Sequence, residues 1–295
     1  MPLSYDDGTQ NLDGNDVDNV LAMLSIKIGL MGAGRMATAL ARGLVRAEMV
    51  PAQAIVACDP SAEARKAFAD EIPGTTVEAA NAADVARTDV VILAVKPQTM
   101  TDALASIRSV IDGNALVVSI AAGVTIGRLE AALPAGQRVV RVMPNTPCLI
   151  GLGASGFALG SHATKEDAKL VASLLSAVGV AFEMPEKLLD AVTGLSGSGP
   201  AFVYSMIEAL AAGGVAEGMS PALAGELAAR TVSGAAEMVL QTGETPAVLR
   251  DRVTSPGGTT LAGLEVLRER GFGEAISDAV KAATRRSVEL GQSTK

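Results

Sequence analysis

One short stretch limits the fold of this chain more than any other. Ser25-Ile26-Lys27-Ile28-Gly29-Leu30-Met31 reads as a buried strand, and Gly32-Ala33-Gly34-Arg35-Met36-Ala37 follows it at once. A helical run then extends from Thr38 to Ala47. Gly32 permits a tight turn, Gly34 lets a pyrophosphate reach the helix N-terminus, and Ala37 lets helix and strand pack closely. A glycine turn alone is a weak signal. Here a strand precedes it and a helix follows, which is the context that a dinucleotide-binding unit requires. Met31, Gly32, Ala33, Gly34, Arg35 and Met36 are therefore candidate cofactor contacts.

The next strand, Ala54 to Cys58, ends in Asp59. An acid in that place can bond the ribose hydroxyls of the dinucleotide. Asp59 followed by Pro60 and Ser61 also fits a helix cap; the dinucleotide role is the favoured one. The alternation continues. Asp89 to Val95, Ala115 to Ile120 and Arg138 to Met143 are strand runs, with helix-like segments near 61–70, 99–111 and 125–132. Such repetition predicts an α/β fold, a doubly wound Rossmann-type parallel sheet. Ligands in these sheets lie beyond the carboxyl ends of the strands. Ala94 to Pro97, Ala121 to Gly123 and Met143 to Pro147 are then expected to line one crevice, which brings in Pro97 and Asn145. Ala154 to Leu159 and Val180 to Met184 read as shorter strands flanking a helix from Glu166 to Val178.

After Pro185 the character is helical. Gly199-Pro200, Ser220-Pro221 and Thr245-Pro246 each open a helix, Gly271 ends one, and Gly291 reads as the stop of the last. The expected division is an acidic extension over 1–24, a dinucleotide-binding domain over 25–184, and an all-helical C-terminal domain over 185–295 for substrate binding and dimerisation. Small residues recur from Ala209 to Ala236. They suit close helix approach at a subunit interface, or a compact bundle within one chain. Thr254-Ser255-Pro256-Gly257-Gly258-Thr259-Thr260 reads as a helix start with Pro256 in its first turn. Bare glycine backbone and free N–H groups there offer a seat for a small carboxylate. The same stretch also fits an ordinary glycine-softened helix cap.

Composition narrows the chemistry. The net charge is −8, which argues against a nucleic-acid partner. Cys58 and Cys148 lie far apart, with no metal or redox spacing, and fit a reducing, cytoplasmic setting. No metal site is expected. The only histidine, His162, sits in a helix approach and is expected to be solvated. A histidine-based triad or zinc site is thereby disfavoured. Residues 1–24 hold five aspartates and no Lys or Arg, which matches neither a secretory signal nor a mitochondrial presequence. They read as a disordered acidic extension. No run reaches the roughly 18 uninterrupted apolar residues of a membrane span.

Several motifs in order carry a resemblance. These are Ile28 to Gly34, Ala94-Val95-Lys96-Pro97, Ser119 to Val124, Met143-Pro144-Asn145-Thr146-Pro147, Val192 to Ala201 and Ser255 to Thr260. The chain from Lys27 to about Leu290 resembles the delta-1-pyrroline-5-carboxylate reductases. The resemblance implies reduction of 1-pyrroline-5-carboxylate, a cyclic imine, to L-proline by NADPH or NADH, the last step of proline biosynthesis. It implies that Ser255, Gly257, Gly258, Thr259 and Thr260 bind substrate, with Thr260 near the ring nitrogen. It makes Glu186 an acidic substrate-side residue, and Thr260 and Glu186 the catalytic pair. Asn81, Val95, Lys96 and Ala122 match cofactor-touching positions. It also implies a homodimer whose helical domains intertwine, with a decamer of five dimers as a larger assembly.

A protonated imine already carries the charge that makes it accept hydride. Reduction therefore needs positioning more than a strong acid. Three residues depart from the resembled pattern: Arg35, Asp59 and Arg252. A carboxylate at Asp59 would repel a ribose 2′-phosphate, so NADH is expected to compete well with NADPH. A hydroxyacid dehydrogenase of the same architecture is disfavoured, because no lysine occurs from Leu188 through Val280. A dinucleotide sensor without chemistry is disfavoured by the intact Gly257, Gly258 and Thr260.

Overall fold

The computed structural model describes residues 25–79 and 82–293. The readings of residues 1–24 and of Asn81 lie outside them. The chain divides into two compact units. One is a sheet body, 25–197 together with 283–293; the other is a helical unit, 198–282.

The strands are β1 (Ile28–Met31), β2 (Ile55–Cys58), β3 (Thr76–Glu78), β4 (Val90–Leu93), β5 (Leu116–Ser119), β6 (Arg138–Met143), β7 (Gly153–Leu159) and β8 (Gly179–Glu183). They form one sheet in the order β3-β2-β1-β4-β5-β6-β7-β8. β1 through β6 are parallel, as the alternation predicts. β7 pairs antiparallel with β6, and β8 runs parallel to β7, so the last two strands are reversed. The reason is the connection. Only a 3-10 segment, Thr146–Ile150, joins β6 to β7, and a parallel return needs a long crossover. β3 escapes the sequence reading because Thr-Val-Glu is short and half polar.

Helices α1 (Arg35–Arg46), α2 (Ala62–Glu71), α3 (Ala82–Ala86), α4 (Met100–Ile107), α5 (Ile126–Ala132) and α6 (Lys165–Ser176) cover the sheet. Strand residues alternate between its two faces. Ile28, Leu30, Val90, Ile92, Leu116 and Val118 join Leu40 and Leu44 of α1 and Val171 and Leu174 of α6. Met31, Val91, Leu93, Val117 and Val139 join Val85 of α3, Leu104 and Ile107 of α4 and Leu129 of α5 on the other face. Strands buried on both faces explain the unbroken apolar runs.

A connector follows β8: a 3-10 turn (Glu186–Leu188), the short helix α7 (Leu189–Val192) and a π-turn (Thr193–Gly197). The helical unit then holds α8 (Gly199–Ala216), α9 (Pro221–Thr242), α10 (Pro246–Arg252), α11 (Thr259–Glu269) and the first part of α12 (Phe272–Ser293). Ser220 and Thr245 cap α9 and α10 by accepting from the amides of Leu223 and Val248. Gly291 reads as a helix stop, yet α12 runs through it to Ser293. Its missing side chain serves a close approach instead. A Cβ there would lie 3.2 Å from the carbonyl oxygen of Gly123. By length and composition, 186–216 could cross a membrane, with mean hydropathy 1.2. Its first part is irregular and carries Glu186 and Asp190, both ion-paired in the sheet body.

Candidate active site

The strand order reverses between β1 and β4, and the loops leaving those two strands are locked together. Ala94 N donates to Met31 O at 2.8 Å, and Gly32 N donates to Cys58 O at 2.7 Å. Gly32 has φ +104°, and a Cβ on it would stand 2.8 Å from Ala94 O, so glycine is required on both counts. Gly34 differs. Its φ of −75° suits any residue. No atom lies within 4 Å of where its Cβ would be, and the space above it is open. Gly34 caps α1 without a side-chain hydrogen bond, and the first turn holds no acid. Its leading residue is the exposed Arg35. A cation at a helix N-terminus opposes the dipole, so this end favours an anion bound between amides and guanidinium. Met36 is half-buried beside it, and Met31 is buried beneath.

Asp59 uses both carboxylate oxygens on backbone amides around the turn and the start of α2. Its Oδ2 accepts from Ala33 N at 2.9 Å, tying β2 to the glycine turn. Its Oδ1 accepts from Ser61 N at 2.8 Å, while Ser61 itself caps α2. The carboxylate is thus fixed and half-buried at the end of β2. Cys58 beside it is buried, with its Sγ 3.4 Å from Met31 Sδ. Burial pushes its thiol up, with the charges of Asp59 and Glu78 adding to that against a hydrogen bond from Gly32. Burial does the same for Cys148. Both are core residues rather than nucleophiles. His162 is exposed. Among the described residues, no group of three or more His, Cys, Asp or Glu side chains is placed to hold a metal.

The remaining cofactor candidates share the same carboxyl edge. Val95 and Pro97 are half-buried and Lys96 is exposed, at the exit of β4. Ala122 is half-buried at the exit of β5, next to Gly123 at φ +73°. Asn145 lies at the exit of β6, but its amide serves the backbone. Nδ2 donates to Ser196 O at 3.2 Å, and Oδ1 accepts from Ala154 N at 2.9 Å. Asn145 thereby ties the β6 exit to β7 and to the π-turn.

In the helical unit, the Ser255 to Thr260 stretch departs from its reading in one respect. Pro256 is not in the helix. Gly258 N donates to Ser255 O at 3.0 Å, closing a turn with proline second and a left-handed Gly257, φ +69°, third. This is the residue pattern of a type II turn. The helix α11 starts at Thr259, because Pro256 and Gly257 are each better suited to the turn. Gly258 caps α11 with no side-chain bond. A Cβ on Gly258 would meet Ser255 Oγ at 2.4 Å. The first amides of α11 therefore point outward, with Thr259 and Thr260 exposed in the first turn. Arg252 holds Glu244 through both guanidinium nitrogens. That ties the α9–α10 junction to the last residue of α10, just ahead of the turn.

Glu186 lies in the sheet body, and its Oε1 is already engaged. It accepts from Ile126 N at 2.7 Å and from Arg141 Nη1 at 3.0 Å. Arg141, Asp190 and Ser287 join it in a polar cluster that the sequence reading missed. One signal was available: a charged residue inside the otherwise apolar run Val139 to Met143 demands a buried partner.

Two family models match. One, described as pyrroline-5-carboxylate reductase dimerisation, covers residues 186–290. The other, described as NADP oxidoreductase coenzyme F420-dependent, covers 27–123. A pyrroline-5-carboxylate reductase of Methanosarcina acetivorans is 48% identical over 90% of this chain and 98% of its own. The crystal structure of a Plasmodium falciparum pyrroline carboxylate reductase with NADP bound superposes with a TM-score of 0.82. It is 34% identical, over 91% of this chain and 99% of that one. The structure of a Coxiella burnetii pyrroline-5-carboxylate reductase gives 0.84 at 32% identity, over 90% and 98%. With the dinucleotide edge, the uncapped α11 start and these relatives in agreement, the chain belongs to the pyrroline-5-carboxylate reductase family, NAD(P)H-dependent oxidoreductases that reduce the C=N bond of 1-pyrroline-5-carboxylate.

Proposed function

We propose that the carboxyl edge of the sheet holds the dinucleotide and that the start of α11 holds the imino acid. The observation that carries the substrate half is the uncapped first turn of α11, with its amides outward and two threonine hydroxyls among them. A small carboxylate fits such an end without any basic side chain. Ser255 adds a hydroxyl beside Gly258. Thr260 is then placed to hydrogen-bond the ring nitrogen, fixing the imine carbon for attack.

The dinucleotide half rests on the open space over Gly34 and the uncapped start of α1. In this reading Gly32 to Met36 receive the pyrophosphate, and Asp59 faces the ribose. Val95, Lys96, Pro97, Ala122 and Asn145 edge the crevice. When bound, the reduced nicotinamide supplies the hydride. The resemblance makes Glu186 a catalytic residue on the substrate side. Its engagement by Arg141 and Ile126 supports a positioning role instead. We further assign the chain to homodimers, with a decamer of five dimers as the larger assembly, and to the cytoplasm, where its free thiols persist.

Thr260→Ala and Thr260→Ser test the chemistry. With saturating NADPH or NADH and the cyclic imine, the alanine variant is expected to lose about tenfold or more in kcat. The serine variant retains most of it. Unchanged turnover in Thr260→Ala removes Thr260 from the reaction.

A further inference from the structure

The reaction so assigned makes no use of the buried charge of Arg141. Arg141 lies on β6 and is 3% exposed. Its Nη1 donates to Glu186 Oε1 at 3.0 Å, and its Nη2 stands 3.6 Å from Asp190 Oδ1. Each carboxylate has a second partner. Glu186 Oε1 accepts from Ile126 N at 2.7 Å, and Asp190 Oδ1 accepts from the buried Ser287 Oγ at 2.7 Å. A guanidinium this deep depends on its anions, and each anion depends on it.

Both arms end on one loop. Ile126 is the first residue of α5, so Glu186 fixes the point where the loop leaving β5 becomes helix. The other arm runs through α12. Ser287, Leu290 and Gly291 fall three and four residues apart, on one face of that helix. Ser287 reaches Asp190. Leu290 and Gly291 lie against Gly123, where an added Cβ would stand 3.5 Å from Gly291 N and 3.6 Å from Leu290 Cβ. Gly123 is left-handed and has no side chain of its own to hold it in place. Ala121 to Thr125 is therefore bracketed at Gly123 and at Ile126, and both brackets lead back to Arg141.

We propose that Arg141 is a positioning residue for dinucleotide binding. Through Glu186 at one end and through Asp190, Ser287 and the end of α12 at the other, it sets the loop that carries Ala122. This rests on the assignment of Ala122 to the dinucleotide edge.

Four variants of the full-length protein test it. Ser287→Ala cuts only the α12 arm. Arg141→Lys keeps the charge but loses the fork, and Arg141→Met removes both. Ala122→Leu probes the loop directly. Affinity for NADH and NADPH is titrated by the reduced nicotinamide's own fluorescence, which the absence of tryptophan leaves unmixed. KM and kcat are measured beside it. Ser287→Ala is expected to weaken dinucleotide affinity about fivefold and raise its KM, with kcat and the imine KM changed less than about twofold. Arg141→Met weakens it further, and Arg141→Lys falls between. A purely structural role would lower Tm without separating dinucleotide KM from kcat. If Arg141→Met does not fold, Ser287→Ala and Arg141→Lys decide. Wild-type affinity in both of these, with Ala122→Leu weakened, overturns the positioning role and leaves the loop's assignment standing. Wild-type affinity in Ala122→Leu overturns that assignment and the proposal with it.

Discussion

Asp59 joins two requirements that pull on the same atoms. Its oxygens hold the glycine turn and the start of α2 through Ala33 N and Ser61 N. In the proposed dinucleotide reading its charge also faces the ribose, where it would repel a 2′-phosphate. Asp59→Ser removes the charge and both backbone bonds; Asp59→Asn removes the charge and keeps one acceptor. Both are expected to raise the NADPH-to-NADH ratio of kcat/KM by about tenfold, since unlike effects on a charged ligand follow the charge. Only the serine variant should also lose about 2 kcal/mol of stability, measured by urea unfolding. A ratio that stays put in both would remove Asp59 from cofactor choice. The glycine turn was legible because its spacing encodes backbone mechanics within one strand–helix unit, and Asp59 stood out because it stands at the end of the strand that follows. Arg141 was not. Its partner Glu186 lies 45 residues away, and Ser287 lies 97 residues from Asp190, so no local pattern announces them.

At the scale of elements, periodicity located nearly every strand and helix, because strands buried on both faces read as continuous apolar runs. Turn chemistry was harder. Pro256 suits either a helix start or a turn, and the left-handed Gly257 decides for the turn. Glycine is equally ambiguous, as β1 and α5 show. Gly29 of β1 faces α3 so closely that a Cβ would stand 2.5 Å from Val85 O and 2.6 Å from Thr88 Oγ1. Both α3 and β1 would have to move apart. Gly127 of α5 is exposed, with nothing within 4 Å of its Cβ position. Gly29→Ala is expected to destabilise by about 2 kcal/mol or more through overpacking against backbone. Gly127→Ala should stabilise by about 0.5 kcal/mol, from helix propensity and a less free unfolded chain. Paired thermal melts check both signs at once. An unaltered Tm in Gly29→Ala would mean that the helix yields cheaply there.

For the whole molecule, the decisive quantity is how little the helical unit buries. Within 198–282 only Ala224 and Ala228 are buried. Tyr204 and Leu210 on α8, and Leu223, Leu227, Met238 and Leu240 on α9, are all exposed in a single chain. Two buried alanines cannot offset the entropy of ordering a helical unit of this length, so its stability requires another surface. The small residues along α8 and α9 let a second copy approach closely, and a two-fold interface would cover the same apolar face on both chains. A lipid surface would also cover it. The two differ in what the protein does without detergent. We expect light scattering of the detergent-free protein to give a multiple of two chains, five dimers included. Leu240→Glu, at a residue 76% exposed in one chain, should lower that mass and cost helix signal together. Val110→Glu, at a residue of the sheet body 37% exposed, should change neither. A stable, fully helical monomer at micromolar concentration would defeat the dimer. Dependence on detergent for any folded signal would point to lipid instead. The coupling of mass to helix content is the discriminating result, because a unit that folds only against its partner has no independent folded state to fall back on.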